Sequence, residues 1–261
     1  MNFKTNDGVN IVYDDQGSGT PIVILTGIGG SRKIWSAQVP VLLAKGYRVV
    51  NIDARNQGAS DQTVQGRRIS RHAMDVAELL AALDLKQVIL LGNSLGAATM
   101  FAYLSLCGEA RVKAVIDVDQ SPKMVADAGW PYGFKQLTWE NFPDLLGEPM
   151  GKSTAGRIDD GVYAQVHAEK QLHPYDAALN YPLMVDHAAQ DWRDVLMHLR
   201  APLLIVAGEQ SPFFNPQFAA TAAQLAHHGT AKIIPNAGHI VMAEQPAQFN
   251  QVLLEFLGTL D

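Results

Sequence analysis

The sequence predicts an α/β protein in which a mostly parallel sheet is covered by helices on both faces. Short, β-branched apolar runs alternate with helical patterns along most of the 261 residues. Such runs, bounded by glycine, proline or polar residues, are typical of buried parallel strands. Parallel strands are joined through the intervening helices, which places helices on both faces of one sheet. The chain is long enough to form one domain with a large core.

The predicted elements follow one another in a regular order. Buried strands are predicted at residues 21–27, 47–53, 87–92, 112–118 and 202–208. An antiparallel strand at "VNIVYDD" is expected to begin the sheet, and "AKIIP" predicts a short strand near the end of the chain. Helical patterns occur in "IWSAQVPVLLAK", "SRHAMDVAELLAALDL", "LGAATMFAYLSLC", "PQFAATAAQLAHH" and "AQFNQVLLEFL". Gly108, directly after the third of these patterns, is a predicted C-cap.

This alternation stops between residues 122 and 200. The segment contains three of the four tryptophans and several prolines. It is too long for an ordinary connection and too aromatic for a disordered linker. We therefore expect a core domain formed by residues 1–121 and 201–261, with residues 122–200 inserted as a helical cap.

Composition and charge favour a small-molecule partner. The net charge is −6 and no stretch is rich in Lys or Arg, which argues against a nucleic-acid-binding surface. No apolar run reaches the roughly 18 residues that a membrane span requires. The first ten residues lack the apolar region of a signal peptide, so the cytoplasm is the expected location. The lone cysteine, Cys107, is expected to be a buried structural thiol in a reducing compartment, and the oligomeric state is left open.

The segment "LLGNSLGAA", residues 90–98, carries the strongest chemical signal. Gly92, Ser94 and Gly96 form a G-x-S-x-G pattern between a predicted strand and a predicted helix. In that context the serine lies on a sharp turn that exposes its hydroxyl, and a side chain at either glycine would clash with a neighbouring strand or helix. We interpret Ser94 as a nucleophile, in preference to a serine that only caps the helix.

A serine hydroxyl needs an adjacent base to remove its proton. His239, in "IIPNAGHIVMAEQP", follows a short strand and a glycine-containing loop, so it can project over the carboxyl edge of the sheet. The other seven histidines lie in a helical pattern, in the inserted segment or at a helix end, and are interpreted as structural or solvated. Their spacing matches no metal site, and "GIGG" lacks the spacing of a dinucleotide site, so neither a metal nor a cofactor is expected.

These motifs, together with "NIDARNQGASD" and "LTGIGGSRKIW", resemble those of the α/β-hydrolase family over nearly the whole chain. The resemblance implies an eight-stranded, mostly parallel sheet, a lid inserted after the sixth strand, and a triad in the chain order serine, acid, histidine. It also implies an oxyanion hole formed by the backbone N–H groups of Ile28 and Leu95. Thr26 departs from the His-Gly pair common in the family, but backbone donors do not depend on that side chain.

The acid of the triad departs from the family's usual pattern. Most members place it after the seventh strand, where this chain reads "GEQS" at residues 208–211, with serine in the expected position. Some members place it after the sixth strand, where "VIDVDQSP" offers Asp117 and Asp119. Period-two alternation puts both on one face, but Asp119 lies at the carboxyl end of the strand, where sites of such sheets collect. We assign Asp119 as the acid, with Glu209 as the alternative, and expect Asp117 to lie within the strand.

The predicted function is that of a serine hydrolase that cleaves a carboxylic ester or related acyl compound through an acyl-enzyme on Ser94. The aromatic residues of the inserted segment favour an apolar small-molecule substrate. Asp53 and Arg55 are expected to organise the loop beneath the site. The same triad leaves open a carbon–carbon bond hydrolase, a thioesterase or amidase, and a haloperoxidase-like perhydrolase. A non-catalytic ligand receptor and a cofactor-free oxygenase of this fold are the alternatives from other classes.

Overall fold

An eight-stranded sheet forms the centre of the structure, a computed structural model that describes residues 1–260. Its strands are β1 (Asn2–Lys4), β2 (Asn10–Gln16), β3 (Pro21–Leu25), β4 (Arg48–Ile52), β5 (Val88–Asn93), β6 (Val112–Val118), β7 (Leu203–Gly208) and β8 (Gly229–Ile234). In space they follow the order β1-β2-β4-β3-β5-β6-β7-β8. Strand β2 pairs antiparallel with β1 and β4, and the other pairings among these eight strands are parallel. The predicted mostly parallel sheet is confirmed.

Helices cover both faces of this sheet. They are α1 (Val39–Ala44), α2 (Ile69–Ala82), α3 (Leu95–Cys107), α4 (Asp160–Leu172), α5 (Ala177–Ala188), α6 (Arg193–His198), α7 (Phe218–Ala223), α8 (Val241–Glu244) and α9 (Pro246–Leu257). The pattern predicted as one helix before Gly46 is divided, because a 3₁₀ helix at Arg32–Trp35 precedes α1, which has Pro40 in its first turn. A proline fits a first turn but breaks a helix interior. None of the helices within residues 1–260 is both long and apolar enough to cross a membrane.

The central strands β3 to β7 are buried on both faces of the sheet, which explains why they are continuous apolar runs. In β3, Val23 and Leu25 belong to one apolar cluster with residues of α2 and α3. Ile22 and Ile24 belong to a second cluster, with residues of α1 and α9. Alternate side chains of a strand point to opposite faces, so a strand covered on both sides is apolar at every position.

The expectation of a buried thiol at Cys107 is wrong. Cys107 is exposed, as are Ser105, Leu106 and Gly108 around it. The last turn of α3 extends beyond the part of the helix that packs on the sheet, so the helical pattern continues there without burial. Gly108 follows the helix with φ 67°, as expected of a glycine C-cap.

Most of the chain between β6 and β7 lies outside the sheet. This connection contains a 3₁₀ helix at Asp144–Gly147, followed by α4, α5 and α6. Trp130 is buried and donates a hydrogen bond from Nε1 to Ser121 Oγ at 2.9 Å, whereas Trp139 is exposed. Trp130 therefore contributes to internal packing, whereas Trp139 lies at the surface.

The buried side chain of Arg55 holds the loop that follows β4. Its guanidinium donates two hydrogen bonds of 2.6 Å to Asp75 on α2, and it lies 3.1 Å from Asp7. Asp53, also buried, accepts the N–H groups of Arg32 and Ala59 at 2.6 and 3.0 Å. Asp53 and Arg55 thus organise this loop, as expected from the sequence.

Substitution of Asp75 by alanine is expected to lower the free energy of unfolding by about 3–5 kcal/mol, because it removes the main partner of a fully buried guanidinium. The matched control is Asp15→Ala. Asp15 accepts two hydrogen bonds from Arg48 at 2.8 and 2.7 Å, but this pair is partly exposed, so its loss should cost less than about 1 kcal/mol. Urea unfolding of both variants measures the difference, and equal losses would contradict the argument.

Candidate active site

Ser94 lies at the junction of β5 and α3, in a backbone conformation that non-glycine residues rarely adopt. Its φ is 55° and its ψ is −125°. The Ser94 amide donates to the carbonyl of Val118 at 3.1 Å, and its carbonyl accepts from the Ala98 amide at 3.1 Å. The strand, turn and helix predicted around Ser94 are present, and neighbouring backbone groups hold the turn in place.

Glycines allow the chain to pack tightly around this turn. A β-carbon on Gly92 would lie 2.6 Å from the amide nitrogen of Ala97, and one on Gly96 would overlap the carbonyl of Leu25 at the end of β3. A β-carbon on Gly27 would lie 2.9 Å from that of Ser94 itself. Larger residues at these positions would push the turn away from the sheet, as the sequence pattern predicts for the first two.

His239 is hydrogen-bonded to Asp119. Nδ1 of His239 lies 2.7 Å from Oδ2 of Asp119, and both side chains are buried. Asp119 follows β6 with φ 55°, and its amide donates to Val206 of β7 at 2.8 Å. Its Oδ1 accepts the Gly208 N–H at 2.9 Å, and its Oδ2 also accepts the Ser211 hydroxyl at 2.6 Å. The orientation of this carboxylate is therefore fixed by three groups, two of them at the end of β7 and the third on His239.

The other two carboxylates considered from the sequence do not contact His239. Asp117 is fully buried, and this desolvation, together with the nearby charge of Asp119, raises its pKa well above the ordinary range. Its Oδ1 accepts the Gln120 N–H at 3.1 Å, while its Oδ2 has no hydrogen-bond partner within residues 1–260. Glu209 is exposed and accepts the Asn236 N–H at 3.1 Å. Asp117 is thus favoured in its neutral form, and Asp119 is the carboxylate that faces the imidazole.

Asn93 connects β5 to the loop that carries His239. Its buried side-chain amide donates to the carbonyl of Val118 at 2.9 Å and to that of His239 at 3.1 Å. Sequence reasoning passed over Asn93, because it occupies an unspecified position of the G-x-S-x-G pattern. Its role depends on contacts with residues that are distant in the sequence.

Glu244 fastens the inserted segment to the same loop. Its Oε2 accepts the N–H groups of Ala155 and Gly156 at 2.8 and 3.0 Å. The amide of His239 donates to the carbonyl of Ser153 at 2.9 Å. The sequence offered one signal for Glu244, a charged residue within an apolar helical stretch, but no indication of its partners.

A cavity of about 300 Å³ opens between the sheet edge and the inserted segment. Ser94 and His239 both line it, and the rings of Phe213 and Phe214 lie with their centroids 4.7 and 6.0 Å from that of His239. The inserted segment contributes Met124, Phe134, Met150, Met184 and His187 to its wall. The structure thus brings two of the predicted residues to one largely apolar cavity, with the third directly behind them.

The backbone around Ile28 and Leu95 presents unpaired N–H groups. Ile28 lines the cavity, and the Gly29 amide after it donates to Gln57 Oε1 at 2.5 Å, which fixes the loop. Leu95 is the first residue of α3, where amides have no partner inside the helix. Within residues 1–260, neither the Ile28 nor the Leu95 amide donates to a protein acceptor. Thr26, the departure noted in the sequence, accepts the Trp35 indole N–H at 3.1 Å.

Two other histidines are buried near the site. Burial lowers the pKa of His72 to about 3 and that of His187 to about 4, so both are neutral at physiological pH. His187, interpreted from the sequence as structural or solvated, lies in the cavity wall. Within residues 1–260, no group of three or more His, Cys, Asp or Glu side chains is arranged to hold a metal ion.

Comparisons with known proteins agree with this architecture. Residues 22–252 match the model of the alpha/beta hydrolase family. The non-heme haloperoxidase of Rhodococcus erythropolis is 30% identical, over 98% of this chain and 99% of that protein. An esterase structure from Exiguobacterium antarcticum superposes with a TM-score of 0.85 at 23% identity, over 98% of each chain. A bromoperoxidase structure from Bacillus anthracis gives 0.81 at 24% identity, over 99% of this chain and 100% of that one. The chain therefore belongs to the α/β-hydrolase family.

Proposed function

We propose that the protein is a serine hydrolase that cleaves carboxylic esters, with Ser94 as nucleophile, His239 as general base and Asp119 as the acid of the triad. The observation that carries this proposal is the 2.7 Å hydrogen bond between His239 and Asp119, beside the cavity that Ser94 also lines. A hydroxyl is a weak nucleophile until a base removes its proton. A buried carboxylate on Nδ1 keeps the other ring nitrogen free as the proton acceptor and stabilises the imidazolium that forms.

The reaction proceeds in two steps on this geometry. Ser94 Oγ attacks the ester carbonyl while Nε2 of His239 takes its proton, and the alcohol leaves with a proton returned by the imidazolium. Water, deprotonated in turn by His239, then hydrolyses the acyl-enzyme. The amides of Ile28 and Leu95 hold the negative oxygen in both steps, and one donor of this kind is typically worth about 2.7–4 kcal/mol.

The substrate class follows from the inserted segment, which we interpret as a cap over a core of residues 1–121 and 201–261. Its methionine and phenylalanine side chains make most of the cavity wall that faces Ser94 apolar. The volume of about 300 Å³ is at the lower end of the usual range for ligand pockets. Uncharged esters with acyl groups of modest size fit this space best.

A second candidate is a haloperoxidase-like perhydrolase. It is supported by the names of the sequence relatives, which include non-heme haloperoxidases. In that reaction hydrogen peroxide takes the place of water, so the acyl-enzyme yields a peroxycarboxylic acid and free Ser94. The same three residues and the same oxyanion donors serve both reactions.

Ser94 is expected to react with a fluorophosphonate probe, because such probes require a serine activated by a base and an oxyanion hole. Intact-mass measurement should show one adduct in the wild type and none in Ser94→Ala. Ser153→Ala is the matched control, since Ser153 also lines the cavity and should leave labelling intact.

The same variants assayed on p-nitrophenyl esters of increasing acyl length, with and without hydrogen peroxide, distinguish the two candidates. Fast Ser94-dependent hydrolysis without peroxide supports the esterase. Labelling that persists in Ser94→Ala would contradict both.

Replacement of Asp119 by asparagine is expected to lower kcat by about 10⁴-fold, because the amide favours the wrong imidazole tautomer. Glu209→Gln is the control and should change kcat little, since this exposed carboxylate contacts the Asn236 amide instead. Steady-state kinetics with thermal unfolding of both variants separates loss of chemistry from loss of fold. A collapsed rate in Glu209→Gln beside a normal rate in Asp119→Asn would show that the acid follows β7.

Asp117→Asn is expected to affect stability in a pH-dependent manner and to leave kcat nearly unchanged. The pKa of Asp117 is raised in the folded protein, so above about pH 4 the unfolded chain releases a proton that the folded chain retains. This contribution to wild-type stability is therefore present at low pH and is lost as the pH rises. Asparagine does not titrate, so the melting temperature of the variant relative to wild type should increase between about pH 5 and pH 8. A constant difference across that range would contradict the neutral form.

A further inference from the structure

We propose that Ser211 is a positioning residue for the acid of the triad, an inference that rests on the proposed function. Its hydroxyl shares one oxygen of Asp119 with the imidazole of His239 and thereby sets the direction of the carboxylate. Ser211 follows β7, whereas Asp119 follows β6, so the contact joins the two strand ends that support the base.

The hydrogen bonds around Asp119 carry this inference. Oδ2 accepts from Ser211 Oγ at 2.6 Å and lies 2.7 Å from His239 Nδ1, while Oδ1 accepts from the Gly208 amide at 2.9 Å. A serine hydroxyl has one proton, and here it is committed to the carboxylate. Without this donor, one lone pair of Oδ2 loses its partner, and the carboxylate is held by the Gly208 amide and the imidazole alone.

The Ser211 hydroxyl acts mainly on the acid. The amides of Phe213 and Phe214 approach its oxygen at 3.4 Å each, and their rings pack beside the imidazole. Contacts of this length are weak compared with the 2.6 Å bond to Asp119. Loss of the hydroxyl is therefore expected to disturb the carboxylate more than the cavity wall.

Loss of the hydroxyl leaves the carboxylate less firmly oriented. The carboxylate then holds the imidazole less precisely, so kcat falls while KM, which depends on the cavity, changes little.

Three variants at one position test this role. Ser211→Ala removes the hydroxyl, Ser211→Thr keeps it, and Ser211→Val has the shape of threonine without it. We expect kcat to fall about tenfold in the alanine and valine variants, with KM within about twofold of wild type. Ser211→Thr should keep the wild-type kcat. A role in packing alone would spare Ser211→Ala or impair Ser211→Thr as much as Ser211→Val, and either result would overturn the inference.

Two readouts separate failure of this inference from failure of the proposed function. If Ser94 reacts with fluorophosphonate and the wild type cleaves esters, but Ser211→Ala keeps the wild-type kcat, Ser211 has no positioning role and the esterase proposal stands. If the wild type shows neither reaction, the proposed function fails. The effect of Ser211 on the bond between His239 and Asp119 is measured directly by the downfield ¹H resonance of the His239 ring N–H. This resonance should move in Ser211→Ala but not in Ser211→Thr. An unmoved resonance in Ser211→Ala overturns the inference.

Discussion

The hydrogen bond between His239 and Asp119 joins residues 120 positions apart, and much of the sheet edge is arranged around it. A buried carboxylate is costly unless its lone pairs are satisfied. Here the partners come from the Gly208 amide, the Ser211 hydroxyl and the imidazole, which requires β6 and β7 to be neighbours. Gly208 has no side chain because a β-carbon there would overlap the carbonyls that precede His239. The parallel pairing of β6 and β7 therefore brings the partners of Asp119 together. The absence of a side chain at Gly208 leaves room for the backbone that precedes His239.

Local features of the sequence were sufficient for most of the sheet and for the turn at Ser94. Strand β6 occupies the predicted residues 112–118, because a strand buried on both faces is a continuous apolar run with clear ends. The turn at Ser94 was predictable because Gly92 and Gly96 lie within two residues of Ser94 in the sequence. Strand β1, with three residues, is too short to produce a pattern, and Pro40 divided a segment that reads as one helix. Cys107 was misplaced because periodicity indicates which face is apolar and not how far the helix remains covered.

The carboxylate assignment shows where local reasoning ends. Asp117 and Asp119 are one strand repeat apart, so periodicity gives them the same face, and only their depth in the sheet separates them. The structure places Asp117 among apolar strands, where one of its oxygens has no partner within residues 1–260, and it places Asp119 beside three hydrogen-bonding groups. Burial and the neighbouring carboxylate of Asp119 raise the pKa of Asp117, which sets Asp117 apart from the carboxylate that contacts His239. The contacts of Asn93, Ser211 and Glu244 were not predicted for a related reason, since the partners of each are distant in the sequence.

The inserted segment is hydrogen-bonded to the part of the chain that carries His239 and α8. Ser153 accepts the His239 amide, and Glu244 accepts two amides of the segment two residues further along. The chain segment that supplies these groups follows Met150, which lines the cavity. The part of the chain that carries His239 is therefore joined to the cavity wall by hydrogen bonds of 2.8–3.0 Å. The ring is held separately by Asp119, which follows β6, so the inserted segment fixes the backbone of the proposed base and the sheet fixes its imidazole.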